Sequence, residues 1–245
     1  MGAGLVKVLT TKENRYIMQT SLPEALFAAY DEEEDRATRQ QQIIEHLSWA
    51  EVIIVGPGLG FSELSLELLH TVIKEAGVPV FLDGDALSVF GKHLESKDGT
   101  LEDRIQSLSS LLAEQTILTP HLLELSRLIG VPVSDITNNL IDTAEGCSYN
   151  NLIYVIKDTR TIVTSKYGKY INVSGNNGMA TGGSGDVLTG IIAALIGQGM
   201  SPYNASCLGV YLHGIAADLA VKRKGQYSLM ASDIIEFLEE ILPRA

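Results

Sequence analysis

The sequence is poor in cysteine, in positive charge and in long apolar runs, and each shortage argues against a class of protein. Only Cys147 and Cys207 are cysteine among 245 residues, and their isolation favours buried thiols over a disulfide or a metal site. Lysine and arginine number 18 against 30 aspartates and glutamates, so the chain lacks the basic surface that nucleic acid requires. The longest apolar run is far shorter than a membrane span, and no signal peptide is visible. We therefore expect a cytoplasmic protein with no membrane or nucleic-acid partner.

What the chain does have is enough apolar sequence for a large core and a regular alternation of strand and helix patterns. Apolar residues make up 45% of the composition, and a length of 245 residues suits one α/β domain or two small ones. Short apolar runs predict strands at residues 52–55, 78–82, 116–118, 153–157, 161–164 and 170–173. Helical spacing predicts helices at residues 64–76, 122–129, 185–198, 202–222 and 231–242.

This alternation predicts a mostly parallel sheet with helices on both faces. In such sheets ligands bind beyond the carboxyl ends of the strands. Three of the predicted strands end in breaks that begin at Gly56, Asp83 and Thr119. We expect these three breaks to line one cleft. An acidic run at residues 31–35 is typical of a solvated loop or a helix start.

The segment most informative about function is residues 176–190, which read NNGMATGGSGDVLTG. Its glycines let backbone amides approach a ligand closely. The apolar helical run that follows adds the unpaired N–H donors and the partial positive charge of a helix start. The stretch therefore predicts an anion site, most often one for phosphate.

Asp186 lies at the mouth of this predicted site and has two interpretations. A carboxylate there favours the start of a helix. Alternatively, it accepts the proton of a hydroxyl that attacks a phosphoryl group. The stretch alone does not decide between the two.

Residues 56–60, GPGLG, are similar to a dinucleotide-binding loop but lack the last glycine of GxGxxG. The proline at the second position also has no N–H to offer a pyrophosphate. A glycine turn approached by a substrate, or a plain turn, is therefore favoured over a dinucleotide site.

Three further segments carry polar residues whose roles the sequence leaves open. Asp83 and Asp85, at a strand end, are either helix caps or ligand contacts, and His121 has the same two interpretations. Residues 157–161, KDTRT, join two predicted strands. They form either an exposed hairpin turn or a phosphate-binding turn.

In order and spacing these segments resemble the ADP-dependent NAD(P)H-hydrate dehydratases, a branch of the ribokinase-like superfamily. The resemblance rests on GPGLG at 56–60, DGDAL at 83–87, TPHxxE at 119–124, KDTRT at 157–161 and GMATGGSGDVLTG at 178–190. It extends from about Gly2 to the C-terminus and implies one ribokinase-like domain over residues 1–245, a three-layer α/β/α fold with a mostly parallel central sheet. Family members usually begin with a further strand, a glycine-rich loop and a helix, so we expect this N-terminal strand–helix unit to be missing here.

The resemblance implies dehydration of the S-epimer of hydrated NADH or NADPH, with ADP consumed to AMP and phosphate. Asp186 is implied as catalytic base and substrate contact, and Gly58, Gly60 and His121 as substrate contacts. We add Asp83 to the substrate contacts because of its place at a strand end. The nucleotide contacts expected from the resemblance and from the anion stretch are Lys157, Asp158, Thr159, Arg160, Thr161, Gly182, Gly183, Ser184 and Gly185.

The expected co-substrate is ADP, or ATP, with Mg²⁺ accompanying the nucleotide, and the sequence names no metal ligands. A homo-oligomer such as a tetramer is also expected. Asp158 and Leu123 stand where the family usually has glycine.

Two alternatives stay open at this point. One is a small-alcohol kinase of the same superfamily, of the thiazole or hydroxymethylpyrimidine type. The other is a non-catalytic nucleotide-binding module.

Overall fold

Residues 1–95 and 100–242 are described by the structure, a computed structural model. Within these residues the strands are β1 (Lys7–Thr11), β2 (Leu26–Tyr30), β3 (Ile53–Val55), β4 (Val80–Leu82), β5 (Ile117–Leu118), β6 (Ile153–Ile156), β7 (Ile162–Ser165) and β8 (Gly168–Ile171). The α-helices are α1 (Arg15–Ser21), α2 (Arg36–Leu47), α3 (Glu63–Glu75), α4 (Asp85–Glu95), α5 (Leu101–Leu111), α6 (Leu122–Ile129), α7 (Val133–Asn138), α8 (Leu140–Cys147), α9 (Ser184–Gly197), α10 (Pro202–Lys224) and α11 (Ala231–Ile241). Short 3-10 helices lie at Lys12–Asn14, Asn177–Met179 and Gln226–Ser228.

The main sheet contains β3 to β8 in chain order. β3, β4, β5 and β6 pair in parallel, and β7 and β8 are added by antiparallel pairing. All six predicted strands are present, so the prediction of a mostly parallel sheet is confirmed. The last predicted strand, at 170–173, was placed two residues too late. Gly168 pairs with Ser165 across a tight turn, so this glycine opens the strand rather than ending the turn.

Successive residues of the central strands face two different apolar clusters. In β4, Val80 and Leu82 belong to one cluster and Phe81 to the other. In β6, Tyr154 is in the first cluster and Val155 in the second. Because side chains alternate along a strand, the sheet is buried on both faces. Helices cover it on both sides, as predicted.

A second, two-stranded sheet is formed by β1 and β2, which pair in parallel. These strands and the helices α1 and α2 were not predicted from the sequence. The acidic run ends in a helix start, one of its two expected forms. The Asp35 side chain caps α2 by accepting from the N–H groups of Ala37 (2.9 Å) and Thr38 (3.1 Å).

Both cysteines are free thiols, as expected, but Cys207 is half-buried rather than buried. Cys147 is fully buried, and burial raises the pKa of its thiol to about 12. Among residues 1–95 and 100–242, no helix combines the length and apolarity needed to cross a membrane.

Candidate active site

Polar loops converge where the parallel strands of the main sheet end. The backbone N–H of Thr119, just after β5, donates to the carbonyl of Leu82 at the end of β4 (3.2 Å). The N–H of Lys157, just after β6, donates to the carbonyl of Pro120 (2.8 Å). These bonds extend the sheet to the point where each strand stops. The N–H of Asp83 likewise donates to the carbonyl of Val55 at the end of β3 (3.2 Å). The breaks after β3, β4 and β5 are therefore neighbours, as expected, and the break after β6 joins them at this edge.

Asp83 lies buried where these loops meet, with 2% of its surface exposed. Its Oδ1 accepts from Lys157 Nζ at 3.0 Å and from the N–H of Gly84 at 2.9 Å. Its Oδ2 accepts from the Thr189 hydroxyl on α9 at 2.7 Å. Asp83 thus ties the end of β4 to the end of β6 and to α9. Its proposed contact with substrate stays a prediction.

Asp83 is held in its anionic form. Burial acts to raise the pKa of Asp83, but the charge of Lys157 and hydrogen bonds from Thr119, Thr189 and Lys157 outweigh it and lower the pKa below its ordinary value. A buried carboxylate is tolerated when it is paired and hydrogen-bonded in this way. The site therefore contains a fixed negative charge with a matching ammonium group beside it.

Lys157 connects this ion pair to the glycine-rich turn. Its Nζ lies 3.3 Å from the point where a Cβ on Gly185 would stand, and its side chain is 23% exposed. The ammonium group is therefore next to the first turn of α9 and partly open to the cleft. Of the five residues in the 157–161 turn, Lys157 is the one that the structure brings to Gly185.

The rest of the 157–161 turn is a hairpin connection between β6 and β7, which pair antiparallel. Asp158 and Thr159 are exposed, and the Arg160 guanidinium donates to the carbonyl of Val173 at 2.8 Å. The hairpin interpretation is thus confirmed for the backbone. Nucleotide contacts for Asp158, Thr159, Arg160 and Thr161 stay predictions.

Helix α9 begins at a glycine without a side-chain cap. Gly183 takes the N-cap position with φ +83°, a conformation that L side chains rarely adopt. The N–H of Ser184 donates to the carbonyl of Thr181 at 3.3 Å, and the first bond of the α-helical type runs from Val187 to Gly183. The N–H groups of the residues between Ser184 and Val187 therefore have no partner within the helix.

The turn before these N–H groups lies at the surface. Gly182 and Gly183 are exposed, and a Cβ on Gly182 would meet no heavy atom within 4 Å. Uncapped amides at a helix start, with an ammonium group close by, are the elements of an anion site. This arrangement supports the phosphate prediction for residues 182–185.

Asp186 is exposed on the first turn of α9, next to the uncapped amides. Partial desolvation and then the negative charge of Asp83 raise the pKa of Asp186, against a smaller lowering effect of Lys157. A raised pKa at an accessible carboxylate suits a proton acceptor. Asp186 also lines an open cavity of about 570 Å³, together with Met1, Val187, Gly190, Ile191, Ile235, Leu238, Glu239 and Leu242.

The role of Asp186 as catalytic base stays a prediction, and a base must be ionised to accept a proton. That prediction puts the acidic limb of the pH dependence of kcat/KM above the ordinary aspartate pKa of about 4. Asp83→Asn removes the like charge and frees Lys157 to attract Asp186, and both changes lower the pKa of Asp186. The acidic limb should therefore move to lower pH in this variant. Activity profiles of both proteins at saturating nucleotide measure the shift. Superimposable acidic limbs would contradict it.

The 56–60 loop needs its glycines for backbone reasons. A Cβ on Gly56, whose φ is +132°, would overlap the carbonyl of Asp83. Gly58 and Gly60 have φ values of +65° and +75°. Asp85 holds the loop by accepting from the N–H of Gly60 at 2.8 Å. The turn is confirmed, while substrate contacts by Gly58 and Gly60 stay predictions.

His121 caps helix α6, one of its two expected roles. Its Nδ1 accepts from the N–H groups of Leu123 (3.2 Å) and Glu124 (3.3 Å), and Glu124 Oε2 accepts from the N–H of His121 (2.8 Å). The helix thus starts normally with Leu123 where the family usually has glycine. The His121 side chain is 51% exposed, and its contact with substrate stays a prediction.

Replacing His121 separates its two roles. His121→Ala removes the cap and should lower the free energy of unfolding by about 0.5–2 kcal/mol, whereas His121→Asn keeps a capping acceptor and should recover most of it. If the ring also contacts substrate, both variants should raise the KM for that substrate. Urea unfolding and steady-state kinetics supply the two readouts. An Ala variant as stable as wild type would count against the cap.

Three residues of the site were not found from the sequence: Thr189, His213 and Asp218. Thr189 follows Asp186 by three residues, so helical spacing places both on one side of α9, and that signal was available. His213 and Asp218 lie on α10, far away in the chain. His213 Nε2 lies 3.3 Å from the Ser184 hydroxyl, and Asp218 accepts from the N–H of Gly175 at 2.9 Å.

The described residues contain no group of three or more His, Cys, Asp or Glu side chains placed to hold a metal ion. Asp83, the most buried carboxylate of the cleft, already has protein donors on both oxygens. Within residues 1–95 and 100–242, no set of side chains therefore forms a dedicated Mg²⁺ site.

Comparison with known proteins gives one family for nearly the whole chain. The model of the Carb_kinase family, described as NAD(P)H-hydrate dehydratase, matches residues 1–240. A bifunctional NAD(P)H-hydrate repair enzyme Nnr from Moorella thermoacetica is 34% identical over 244 residues, which is 98% of this chain and 42% of that protein. The chain thus spans less than half the length of such curated relatives.

Solved structures are similar over nearly the whole chain. An ADP/ATP-dependent NAD(P)H-hydrate dehydratase from Bacillus subtilis, co-crystallised with ATP and Mg²⁺, has a TM-score of 0.76 and 25% identity, covering 98% of this chain and 79% of that one. A ribokinase-like superfamily protein from Enterococcus faecalis has a TM-score of 0.78 and 28% identity, covering 98% and 77%. The expected ribokinase-like α/β fold is confirmed.

Proposed function

Since this chain belongs to the NAD(P)H-hydrate dehydratase family, we propose that it catalyses the dehydration of the S-epimer of hydrated NADH or NADPH, with ADP as co-substrate. The observation that carries the proposal is the placement of Asp186 beside the uncapped amides of α9, with the Lys157 ammonium group next to Gly185. This arrangement puts a proton acceptor, amide donors and a cation around one place where a phosphoryl group can sit.

The first stage of the proposed reaction is phosphoryl transfer. The hydroxyl on the hydrated nicotinamide ring attacks the β-phosphorus of ADP, and AMP leaves with the electron pair of the broken P–O bond. Asp186 takes the hydroxyl proton as this bond forms. The amides at the start of α9 and the Lys157 ammonium group stabilise the charge on the phosphoryl oxygens.

The second stage restores the reduced nicotinamide. The C–O bond to the phosphorylated oxygen breaks, and phosphate departs with its electron pair. The neighbouring ring carbon loses a proton, and its C–H electrons form the ring double bond. The sum is hydrated NAD(P)H plus ADP giving NAD(P)H, AMP and phosphate. With ATP the attack falls on the γ-phosphorus, and ADP is released.

In this proposal Mg²⁺ binds together with the nucleotide, because substrate phosphates and water molecules are common ligands of Mg²⁺ in proteins. The protein itself would supply Lys157 and backbone amides. We further propose a cytoplasmic location and a homo-oligomer, both as expectations for the single domain of residues 1–245. Gly58, Gly60, Asp83 and His121 remain the proposed contacts for the hydrated ring and its ribose.

The test is to incubate the purified chain with hydrated NADH or NADPH and either ADP or ATP, while following the absorbance of reduced nicotinamide. Recovery of absorbance with one equivalent of phosphate released, and none without nucleotide, is the expected result. Accumulation of a stable phosphorylated alcohol from a thiazole or pyrimidine substrate would replace the proposal with a kinase. Nucleotide binding without turnover of any of these compounds would favour a binding module.

A further inference from the structure

Helix α10 is attached at several points to the segment that leads into the glycine-rich turn. The Ser174 hydroxyl donates to the carbonyl of Tyr211 at 3.0 Å. Asp218 accepts from the N–H of Gly175 and from the Asn176 side chain, each at 2.9 Å. Residues 174–176 are therefore held to α10 by both backbone and side-chain groups.

The same helix reaches the turn itself through one side chain. His213 is 6% exposed, and its Nε2 lies 3.3 Å from the hydroxyl of Ser184, the first residue of α9. Ser184 is equally buried. Its hydroxyl thus faces α10, away from the open side of the turn, and is engaged there by an imidazole.

The contact between Ser184 and His213 is one by which the fold can fix an otherwise flexible stretch of backbone. Residues 182–185 read Gly-Gly-Ser-Gly, so Ser184 carries the one side chain of the four. Glycines leave the backbone free to take many conformations, and the N-cap Gly183 has no side chain to bond the helix amides. The glycines offer no side chain for a contact. The amides can therefore be held in place for a ligand only through Ser184 or through residues farther along the chain.

The surroundings keep the imidazole neutral at pH 7. Burial lowers the pKa of His213 to about 4, a hydrogen bond with the backbone of Ser184 acts in the opposite direction, and the charge of Lys157 lowers it further. A neutral imidazole has one N–H donor and one acceptor nitrogen, so it can pair with a hydroxyl without adding charge beside the phosphate site.

We propose that His213 is a positioning residue: by bonding the Ser184 hydroxyl it fixes the first turn of α9, and with it the anion-binding amides and the carboxylate of Asp186. The identity of the anion, a nucleoside diphosphate or triphosphate, rests on the proposed function. The positioning itself does not, since it concerns the order of the turn in the free protein.

The experiment is a double-mutant cycle read by amide hydrogen exchange and by nucleotide kinetics. Ser184→Ala and His213→Phe each remove the bond, and His213→Gln retains a polar group near the Nε2 position. Exchange is followed in a peptide containing Val187, whose N–H makes the first α-helical bond of α9. We expect each removal to speed this exchange, and to raise the nucleotide KM, about threefold to tenfold, the range for loss of a net hydrogen bond.

The comparison between variants tests the proposal. Exchange and nucleotide KM in the double variant should change no more than in either single variant. His213→Gln should restore most of the wild-type exchange rate and KM. Ser206→Ala is the matched control: Ser206 is a buried serine of α10 whose hydroxyl bonds Pro202 within the helix (2.8 Å). It should lower the melting temperature without changing exchange at α9.

The proposal would be overturned if Ser184→Ala left the exchange rate unchanged. It would also be overturned if the fold-change in the double variant equalled the product of the two single fold-changes. Because the exchange is measured without nucleotide, failure of wild type to turn over hydrated NAD(P)H would overturn the proposed function alone.

Discussion

Asp186→Asn should lower kcat by about 10²–10⁴-fold, the usual contribution of a general base. Asparagine keeps the size of aspartate and can still hydrogen-bond, but it cannot accept the hydroxyl proton. The amides of α9 and Lys157 are left in place, so nucleotide affinity should hold. Single-turnover kinetics and calorimetric titration with ADP measure the two quantities.

A second carboxylate at the same helix position serves as the control. Asp103 lies at the third position of α5, as Asp186 does in α9, and forms a capping box with Thr100. Asp103→Asn should cost stability while leaving kcat near wild type. If the Asp186 variant turned over at the wild-type rate, the helix-start interpretation would stand and the catalytic assignment would fall.

Lys157→Met should lower the free energy of unfolding at pH 7 by about 3 kcal/mol. Removing one partner of a buried ion pair costs about 3–5 kcal/mol, and the partial exposure of Lys157 places it at the lower end. The variant leaves Asp83 buried without its counter-ion. Asp83→Asn combined with Lys157→Met should recover much of the loss, because no buried charge remains. Urea unfolding of the three proteins tests this.

The loss of unfolding free energy in Lys157→Met should become smaller as the pH falls. The pKa of Asp83 is lowered in the folded protein, so its contribution is present above the unfolded-state pKa of about 4 and fades as pH falls through the folded value. The gap between wild type and Lys157→Met should therefore narrow in acid. Lys166→Met is the matched control, because its pair with Glu114 is exposed and should contribute little to stability. Equal losses of unfolding free energy in the two lysine variants would contradict the idea that burial of Asp83 makes its ion pair with Lys157 important for stability.

Lys157→Met also tests the nucleotide assignment. A hydrogen bond from a charged group contributes about 1.5–3 kcal/mol, so loss of a phosphate contact should weaken ADP binding about tenfold to hundredfold. The effect should shrink as the salt concentration rises. Unchanged affinity at low salt would leave Lys157 as the counter-ion of Asp83 alone.

Patterns that depend on neighbouring residues could be recognised in the sequence. The six strands of the main sheet follow from short apolar runs, and the start of α9 follows from glycines before a helical run. These signals are local, because strand, helix and turn preferences are set by backbone geometry over a few residues. The convergence of the loops after β3, β4 and β5 also followed, since parallel strands present their carboxyl ends at one edge.

The roles of individual polar side chains were decided by tertiary structure. Asp83 meets Lys157 across 74 residues of chain and Thr189 across 106, and Ser184 meets His213 across 29. None of these pairs can be recognised from a local sequence pattern, because the two partners belong to different strands, helices or loops. Local patterns were thus enough to predict the sheet, the glycine-rich turn before α9 and the place of Asp186 at the start of that helix. The partners of the buried groups beside that turn depend on how β4, β6, α9 and α10 pack, since a buried polar atom must find its partner wherever the fold brings one.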